Sequence, residues 1–199
     1  MSKENQTEEN QTEENQTEGL GQEDLLQKIP QEPRAIGIFQ DIDEKKAEEL
    51  IYALTLYAAD NKDPVEFYIS TNGGSATDMF AVYDYVRTLR DDIDICTYGL
   101  GKVMSAGVLL LACGTPGKRK IGKYCRVMIH SVIGLNSGAL HDLENEMQEI
   151  HKIQEIYIEA LCAETKFTKK KLKDLISKNV NVYLSAEEAV SYGIADIIV

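Results

Sequence analysis

From Ile36 onward, short apolar runs of strand length alternate with longer amphipathic stretches of helix length. Because helices between successive strands cover the sheet that those strands form, this alternation predicts an α/β fold. The predicted strands span residues 35–39, 66–70, 93–98, 126–130 and 194–199. The predicted helices span residues 44–59, 105–113 and 140–163, and two further helices are capped by Ser75 and Ser185.

The first 18 residues differ in kind from the rest of the chain. They repeat the unit Glu-Asn-Gln-Thr-Glu with period five and contain no apolar side chain after Met1. A segment with nothing to bury cannot form a core, so we predict that residues 1–18 are a disordered acidic tail. Residues 19–33 are then an N-terminal linker or axial segment, and residues 34–199 form the folded domain.

Composition excludes several classes of function. The net charge of −12 argues against a nucleic-acid-binding surface, which needs clustered lysine and arginine. No stretch approaches eighteen uninterrupted apolar residues, so we expect no membrane span. The four cysteines lack metal-site spacing, and no apolar leader follows Met1, so we expect reduced thiols, no metal site and a cytoplasmic location.

Three sequence features lie at positions where α/β folds commonly place catalytic or binding groups. Ser105 begins a predicted helix after a glycine-containing turn at residues 100–103, where backbone N–H groups stabilise an oxyanion. The Gly73-Gly74 pair lies between a strand and a helix, where a backbone can approach a substrate closely. His130 ends an apolar strand. An ordinary helix cap, a tight turn and a structural histidine are the respective alternatives, and the residues alone leave them open.

Four segments together resemble the Clp-type serine peptidases, whose ClpP subunits assemble into barrel-shaped proteolytic chambers. They occur in the order and at the spacing of that family, and the likeness runs along nearly all of residues 34–199. The segments are YISTNGGSATD at 68–78, GKVMSAGVLLLACG at 101–114, VMIH at 127–130 and YLSAEEAVSYGIAD at 183–196. The resemblance implies the α/β ClpP/crotonase-like fold of repeated β-β-α units with a handle helix, and a ClpP-like peptidase domain at 34–199.

The resemblance also implies a set of catalytic roles. Ser105 is the nucleophile, His130 is the general base, and the backbone N–H groups of Gly74 and Ala106 form the oxyanion hole. The reaction is endopeptidase cleavage of unfolded proteins and peptides through an acyl-enzyme. Neither a metal nor a cofactor is needed in the subunit, and ATP is used only by a partner AAA+ unfoldase.

The third triad position departs from the family pattern. The family has an aspartate four residues before the serine that corresponds to Ser185, and this chain has Asn181 there. An asparagine oxygen can orient the imidazole but cannot stabilise imidazolium by charge. The alternative function is therefore a catalytically weak or inactive structural subunit of a mixed ring. Asp142 and Asp174 are the nearest carboxylates in sequence, and neither matches the family position.

Two other chemistries stay open beside this interpretation. The acyl-CoA hydratases and isomerases share the fold and the glycine-based oxyanion hole, but they usually work with acidic pocket residues and without a serine-histidine pair. Lys102, three residues before Ser105, offers a serine-lysine dyad as a minor option.

The sequence departs from the family pattern at two further places. Ser70-Thr71-Asn72 replaces the family's Asn-Ser-Pro, and the family's arginine-rich axial motif is absent.

Assembly is a further implication of the resemblance. Residues 132–138 and the long helix that follows occupy the place of the family's handle, through which two heptameric rings interlock. We therefore expect a homo-oligomer of two stacked heptamers, a tetradecamer, with other ClpP-type subunits as alternative ring members. The other expected partners are an AAA+ unfoldase and unfolded polypeptide substrate.

Overall fold

Seven strands and six helices alternate along the residues that the computed structural model describes, which are 33–134, 137–177 and 181–199. The predicted tail at 1–18, the predicted linker apart from Pro33, and two residues of the predicted handle lie outside these ranges. The strands are β1 (Ala35–Ile38), β2 (Val65–Thr71), β3 (Ile95–Met104), β4 (Lys120–Ile121), β5 (Arg126–Ile129), β6 (Val182–Leu184) and β7 (Ile197–Ile198). The helices are α1 (Glu44–Asp60), α2 (Ala76–Leu89), α3 (Ala106–Ala112), α4 (Leu140–Glu164), α5 (Lys169–Ile176) and α6 (Ala186–Ser191).

The strands form one sheet that branches at β3. Along the main path the order is β1-β2-β3-β4-β7, and all of these neighbours are parallel. Tyr98 and Gly99, in the middle of β3, pair with β4, whereas the last three residues of β3 pair in parallel with β5. Strand β6 then joins β5 in the antiparallel direction. The predicted α/β class is confirmed, and the branch carries the end of β3 into contact with the end of β5.

The hydrophobic core explains why these segments adopt their structures. Along β2, buried and partly buried residues alternate strictly, as expected of a strand with one face on the core. All seven residues of α3 are buried, which accounts for the continuous apolar run that predicted a buried helix at 105–113. Helix α3 therefore holds the residue that precedes it, Ser105, at the edge of a rigid core.

The turn predicted at residues 100–103 is wrong, because β3 continues through it to Met104. Gly101 adopts a φ of 65° within the strand, so the glycine makes an irregularity and not a chain reversal. Between the pairs Ile69↔Gly99 and Thr71↔Val103, β2 advances two residues while β3 advances four. This bulge lengthens the strand and sets the position of its end.

Other differences from the sequence prediction follow from length. Strands β4 and β6 contain two and three residues, which is too few for a periodic pattern to be recognised. Helix α5 buries only Leu172 and Ile176, and four of its eight residues are lysines, so its apolar face is short. The terminal strand, predicted at 194–199, is limited to Ile197–Ile198.

Buried ion pairs fasten α4 to the rest of the domain. Glu164, at the end of α4, accepts hydrogen bonds from Arg90 at 2.6 Å and from the Tyr83 hydroxyl at 3.0 Å. Arg119 donates to the Glu164 carbonyl oxygen at 2.6 Å and to Asp196 at 2.5 and 2.8 Å. The C-terminal end of α4 is thereby held in a fixed position against α2, α3 and the last strand.

No helix in the described part of the chain combines the length and apolar character that crossing a membrane requires.

Candidate active site

Ser105 and His130 lie side by side because two parallel strands end together. Ser105 directly follows β3 and His130 directly follows β5, and Met104 is in register with Met128. The Ser105 N–H extends this ladder by donating to the Met128 carbonyl oxygen at 2.8 Å. The Ser105 Oγ and the His130 Nε2 are 2.8 Å apart, which is hydrogen-bond distance. An unprotonated Nε2 in this position can accept the hydroxyl proton.

The backbone of Ser105 is strained in a way that presents its side chain. Its φ of 54° and ψ of −122° make it the only non-glycine residue with positive φ among those described. Ser105 precedes α3 as its N-cap residue, yet its hydroxyl makes no capping hydrogen bond and instead faces His130. A strained strand-to-helix turn with an exposed hydroxyl is the arrangement found around activated serines. The ordinary helix cap considered from sequence is therefore not what the side chain does.

The Gly73-Gly74 segment passes directly beside Ser105. It is tied to the start of the domain by hydrogen bonds from Ile42 N–H to Gly73 O at 2.7 Å and from Ser75 N–H to Ile42 O at 2.8 Å. The φ angles of the two glycines are 112° and 144°. A β-carbon on Gly74 would come 2.2 Å from the Ile42 carbonyl oxygen. Glycine is thus required here both by the backbone angle and by the close approach.

A cavity of about 320 Å³ opens over these residues. Its lining includes Gly74, Ser105, Ala106 and His130, which are four of the five residues assigned roles from the resemblance. Within the described ranges, the N–H groups of Gly74 and Ala106 donate to no backbone or side-chain acceptor. Two free backbone donors beside a serine-histidine pair are the groups that an oxyanion hole requires. The cavity can therefore hold a carbonyl carbon within reach of Ser105.

Asn181 and His130 lie opposite each other at the ends of the paired strands β6 and β5. Ile129 pairs with Val182 in the antiparallel β5–β6 register, so Asn181, just before β6, is opposite His130, just after β5. Asn181 is exposed, and no hydrogen bond joins it to His130 among the described residues. The predicted role of Asn181 in orienting the imidazole stays a prediction.

The alternative partners of the pair lie elsewhere. Asp142 is an exposed residue whose carboxylate lies 3.2 Å from the His141 ring, and Asp174 is exposed on α5. The Lys102 ammonium donates to the Asn72 side-chain oxygen at 2.9 Å, and in the described part of the chain it makes no hydrogen bond with Ser105. The structure thus gives the serine-lysine dyad no geometric support.

Two residues of α4 that sequence reasoning did not assign to the site also contact it. The Tyr157 hydroxyl donates to the Ser105 carbonyl oxygen at 3.0 Å, and the Gln154 Oε1 accepts from the Val132 N–H at 2.9 Å. Tyr157 is buried, and burial raises the pKa of its phenol. The apolar stripe of the long helix indicated only a core role for Tyr157, because periodicity does not show where a hydroxyl points.

Comparison with known proteins gives concordant results. The model of one protein family, described as Clp protease, matches residues 18–199. A proteolytic subunit 2 of an ATP-dependent Clp protease from Corynebacterium jeikeium strain K411 is 34% identical over 167 residues, or 83% of this chain and 78% of that protein. Proteolytic subunits 1 of ATP-dependent Clp proteases from Corynebacterium glutamicum and Corynebacterium diphtheriae are each 33% identical over the same shares.

Proposed function

Because the chain belongs to the Clp protease family, we propose that it is a serine endopeptidase subunit that cleaves unfolded proteins and peptides through an acyl-enzyme. The observation that carries this proposal is the 2.8 Å contact between Ser105 Oγ and His130 Nε2. The serine-histidine pair beside two free backbone donors also favours a Clp-type peptidase over an acyl-CoA hydratase or isomerase.

The proposed reaction proceeds in two acyl-transfer steps. Ser105 Oγ attacks the peptide carbonyl carbon while His130 Nε2 takes the hydroxyl proton. The N–H groups of Gly74 and Ala106 donate to the oxyanion, and His130 returns the proton to the leaving amine. Water then attacks the acyl carbon while His130 takes its proton, the ester bond to Ser105 Oγ breaks, and His130 returns the proton to Oγ as the carboxylic acid product leaves. Each step uses only groups of this chain and water.

We further propose that the subunit works in the cytoplasm as two stacked heptameric rings, fed by an ATP-consuming AAA+ unfoldase. The names of the relatives describe ATP-dependent proteases. Leu140 and Met147, on the first half of α4, have 73% and 61% of their surface exposed in the single chain. Large apolar side chains presented along one helix are typical of a surface that another subunit covers.

A structural role in a mixed ring is the second candidate function. It is favoured by Asn181, which is exposed, lacks the charge of an aspartate and makes no hydrogen bond with His130 among the described residues. A subunit of this kind would retain the fold and the assembly surfaces but would hydrolyse substrates slowly or not at all.

Active-site labelling separates the two candidates. The purified chain, its Ser105→Ala and His130→Ala variants, and the control Ser191→Ala are treated with a fluorophosphonate and assayed with a small peptide ester. Ser191 lies at the end of α6, where its hydroxyl donates to the Glu188 carbonyl oxygen. If the chain is an active enzyme, the wild type and Ser191→Ala should be labelled and should hydrolyse the ester. Ser105→Ala and His130→Ala should do neither. One shared background rate in all four proteins would contradict the enzyme and favour the structural role.

Light scattering tests the assembly. The expected particle has fourteen times the 22.2 kDa mass of the chain. Changing Leu140 and Met147 together to glutamate should reduce the particle to smaller species, because charges would then be buried at the contact. Asn145→Glu, at another exposed position of α4, is the matched control. A wild-type monomer would contradict the proposed ring.

A further inference from the structure

The peptide unit between Ser105 and Ala106 carries two polar groups that point in opposite directions. Its carbonyl oxygen accepts from the Tyr157 hydroxyl at 3.0 Å and from the Val108 N–H at 3.0 Å. Its N–H belongs to Ala106 and borders the cavity. Because a trans peptide is planar, a group that fixes the direction of the carbonyl also fixes the direction of the N–H. We propose that Tyr157 is a positioning residue that aims the Ala106 N–H at the substrate oxyanion, an inference that rests on the proposed function.

The surroundings of Tyr157 suit a permanent donor. The residue is 6% exposed, and in the described part of the chain the Ser105 carbonyl oxygen is the hydrogen-bond partner of its hydroxyl. Since a carbonyl oxygen only accepts, the phenol must donate. Burial raises the pKa of the phenol, so the proton stays on the oxygen throughout the working pH range.

The strained turn at Ser105 needs such support. With a φ of 54°, the residue adopts a backbone conformation that costs free energy and persists only where neighbouring groups hold it. Its N–H is held by the Met128 carbonyl oxygen, and its carbonyl oxygen is held from α3 by Val108 and from α4 by Tyr157. The Ala106 donor is therefore aimed before a substrate arrives, which is the condition for effective oxyanion stabilisation. Donation to the carbonyl also polarises the peptide and strengthens its N–H as a donor.

Gln154 places the same helix against the other half of the site. It precedes Tyr157 by three residues, so both side chains lie on one face of α4. Its Oε1 holds the Val132 N–H, two residues after His130. One helix face therefore contacts both the serine turn and the segment that follows the histidine.

The test compares two buried phenols. Tyr157→Phe removes the hydroxyl at the site, whereas Tyr83→Phe removes one of similar burial that bonds Glu164 away from the cavity. Fluorophosphonate labelling first counts the active sites in each variant, so that a loss of folded protein is separated from a loss of rate. Ester hydrolysis per labelled site and affinity for a peptide boronic acid, whose tetrahedral adduct presents an oxygen to the hole, are then measured.

Tyr157→Phe should lower kcat per labelled site roughly 2- to 12-fold, the factor that one hydrogen bond of typical net strength supplies. KM should be unchanged and boronate affinity should fall by a similar factor, because the lost interaction acts in the transition state. Tyr83→Phe should keep wild-type kcat per site. The inference is overturned if the two variants match in kcat and boronate affinity, or if Tyr157→Phe lowers only the number of labelled sites. A wild type that takes no label overturns the proposed function itself, and this inference with it.

Discussion

The α-carbon of Gly73 lies against the side chain of Ser105. A methyl group placed on this glycine would come 2.6 Å from the Ser105 Cβ and 3.1 Å from its Oγ. Real carbon atoms do not approach so closely, so any side chain at residue 73 must displace the serine. The glycine pair therefore limits the position of Ser105, the proposed nucleophile, as well as offering a backbone N–H group.

Gly73→Ala should lower ester hydrolysis by about 100-fold, the loss expected when a reacting group is moved by about 1 Å. Gly101→Ala is the matched control, because Gly101 also has positive φ but a methyl group there would meet only the Ser70 Oγ, at 3.7 Å. Both variants should lose some stability through backbone strain. Equal losses of activity per folded chain in the two variants would show that the contact with Ser105 is unimportant.

Ser105→Gly and Ser105→Ala should differ in stability although both remove the nucleophile. Alanine keeps the strain of a φ of 54°, whereas glycine adopts such angles at little cost. We expect Ser105→Gly to melt about 2–4 °C above Ser105→Ala, the shift that corresponds to about 1 kcal/mol in a domain of this size. Differential scanning calorimetry measures it. An alanine variant that melts at the same temperature or higher would show that the turn stores no strain.

The sequence was most informative where chemistry restricts the residue at a position. The glycine pair, Ser105 and His130 each occupy a position at which few side chains work, and the segments around them carried the family resemblance. The structure brings Gly74, Ser105 and His130 to one cavity, and β3 and β5 end in register beside it. That pairing joins residues far apart in sequence, and no local pattern predicts it.

Where a side chain acts through its contacts, the sequence was less informative. Tyr157 fits the apolar stripe of α4 as well as a leucine would, and only the fold shows that its hydroxyl reaches the Ser105 carbonyl oxygen. Gly101 predicted a turn, since glycine often breaks strands. Strand β3 pairs with β2 before Gly101, and with β2 and β5 after it, so the strand continues past this residue and tertiary contacts override the local preference.

Asp196 should make stability depend on pH in the acid range. Burial acts to raise the pKa of its carboxyl, but hydrogen bonds from Arg119 and the Gly117 N–H outweigh burial and hold the pKa below its usual value. The ionised carboxylate therefore stabilises the fold above the unfolded-state pKa of about 3.9, and this contribution is lost as the pH falls through the folded-state pKa.

Asp196→Asn should therefore lower the free energy of unfolding at pH 7 by about 3 kcal/mol, because it leaves the Arg119 charge without its partner. Urea unfolding at pH 7 and at pH 3 should show the difference from wild type narrowing in acid. The exposed Asp91→Asn is the control and should change stability by less than about 0.5 kcal/mol. A difference that stays constant across this range would show that the charge of Asp196 contributes nothing.

Replacing Asn181 tests whether it acts as the third member of a catalytic triad with Ser105 and His130. If Asn181 orients the ring, the wild type should hydrolyse a small ester slowly, and Asn181→Asp should raise turnover by about 10-fold to 10⁴-fold through the added charge. Asn181→Ala should lower turnover. Asn145→Asp adds the same charge on α4 and is the control, with an unchanged rate.

The order aspartate above asparagine above alanine depends on the β5–β6 register, in which Asn181 is opposite His130. A register of this kind brings side chains of facing residues within reach of one another, so a carboxylate at 181 can accept from the imidazole Nδ1 when a substrate orders the site. If Asn181→Asp instead lowers a substantial wild-type activity, the surroundings of His130 suit an amide, and another group must stabilise the imidazolium. A different result is that all Asn181 variants share the background rate of Ser105→Ala while the particle mass is unchanged. A carboxylate at residue 181 is then not enough to give activity, and the chain acts as a structural subunit.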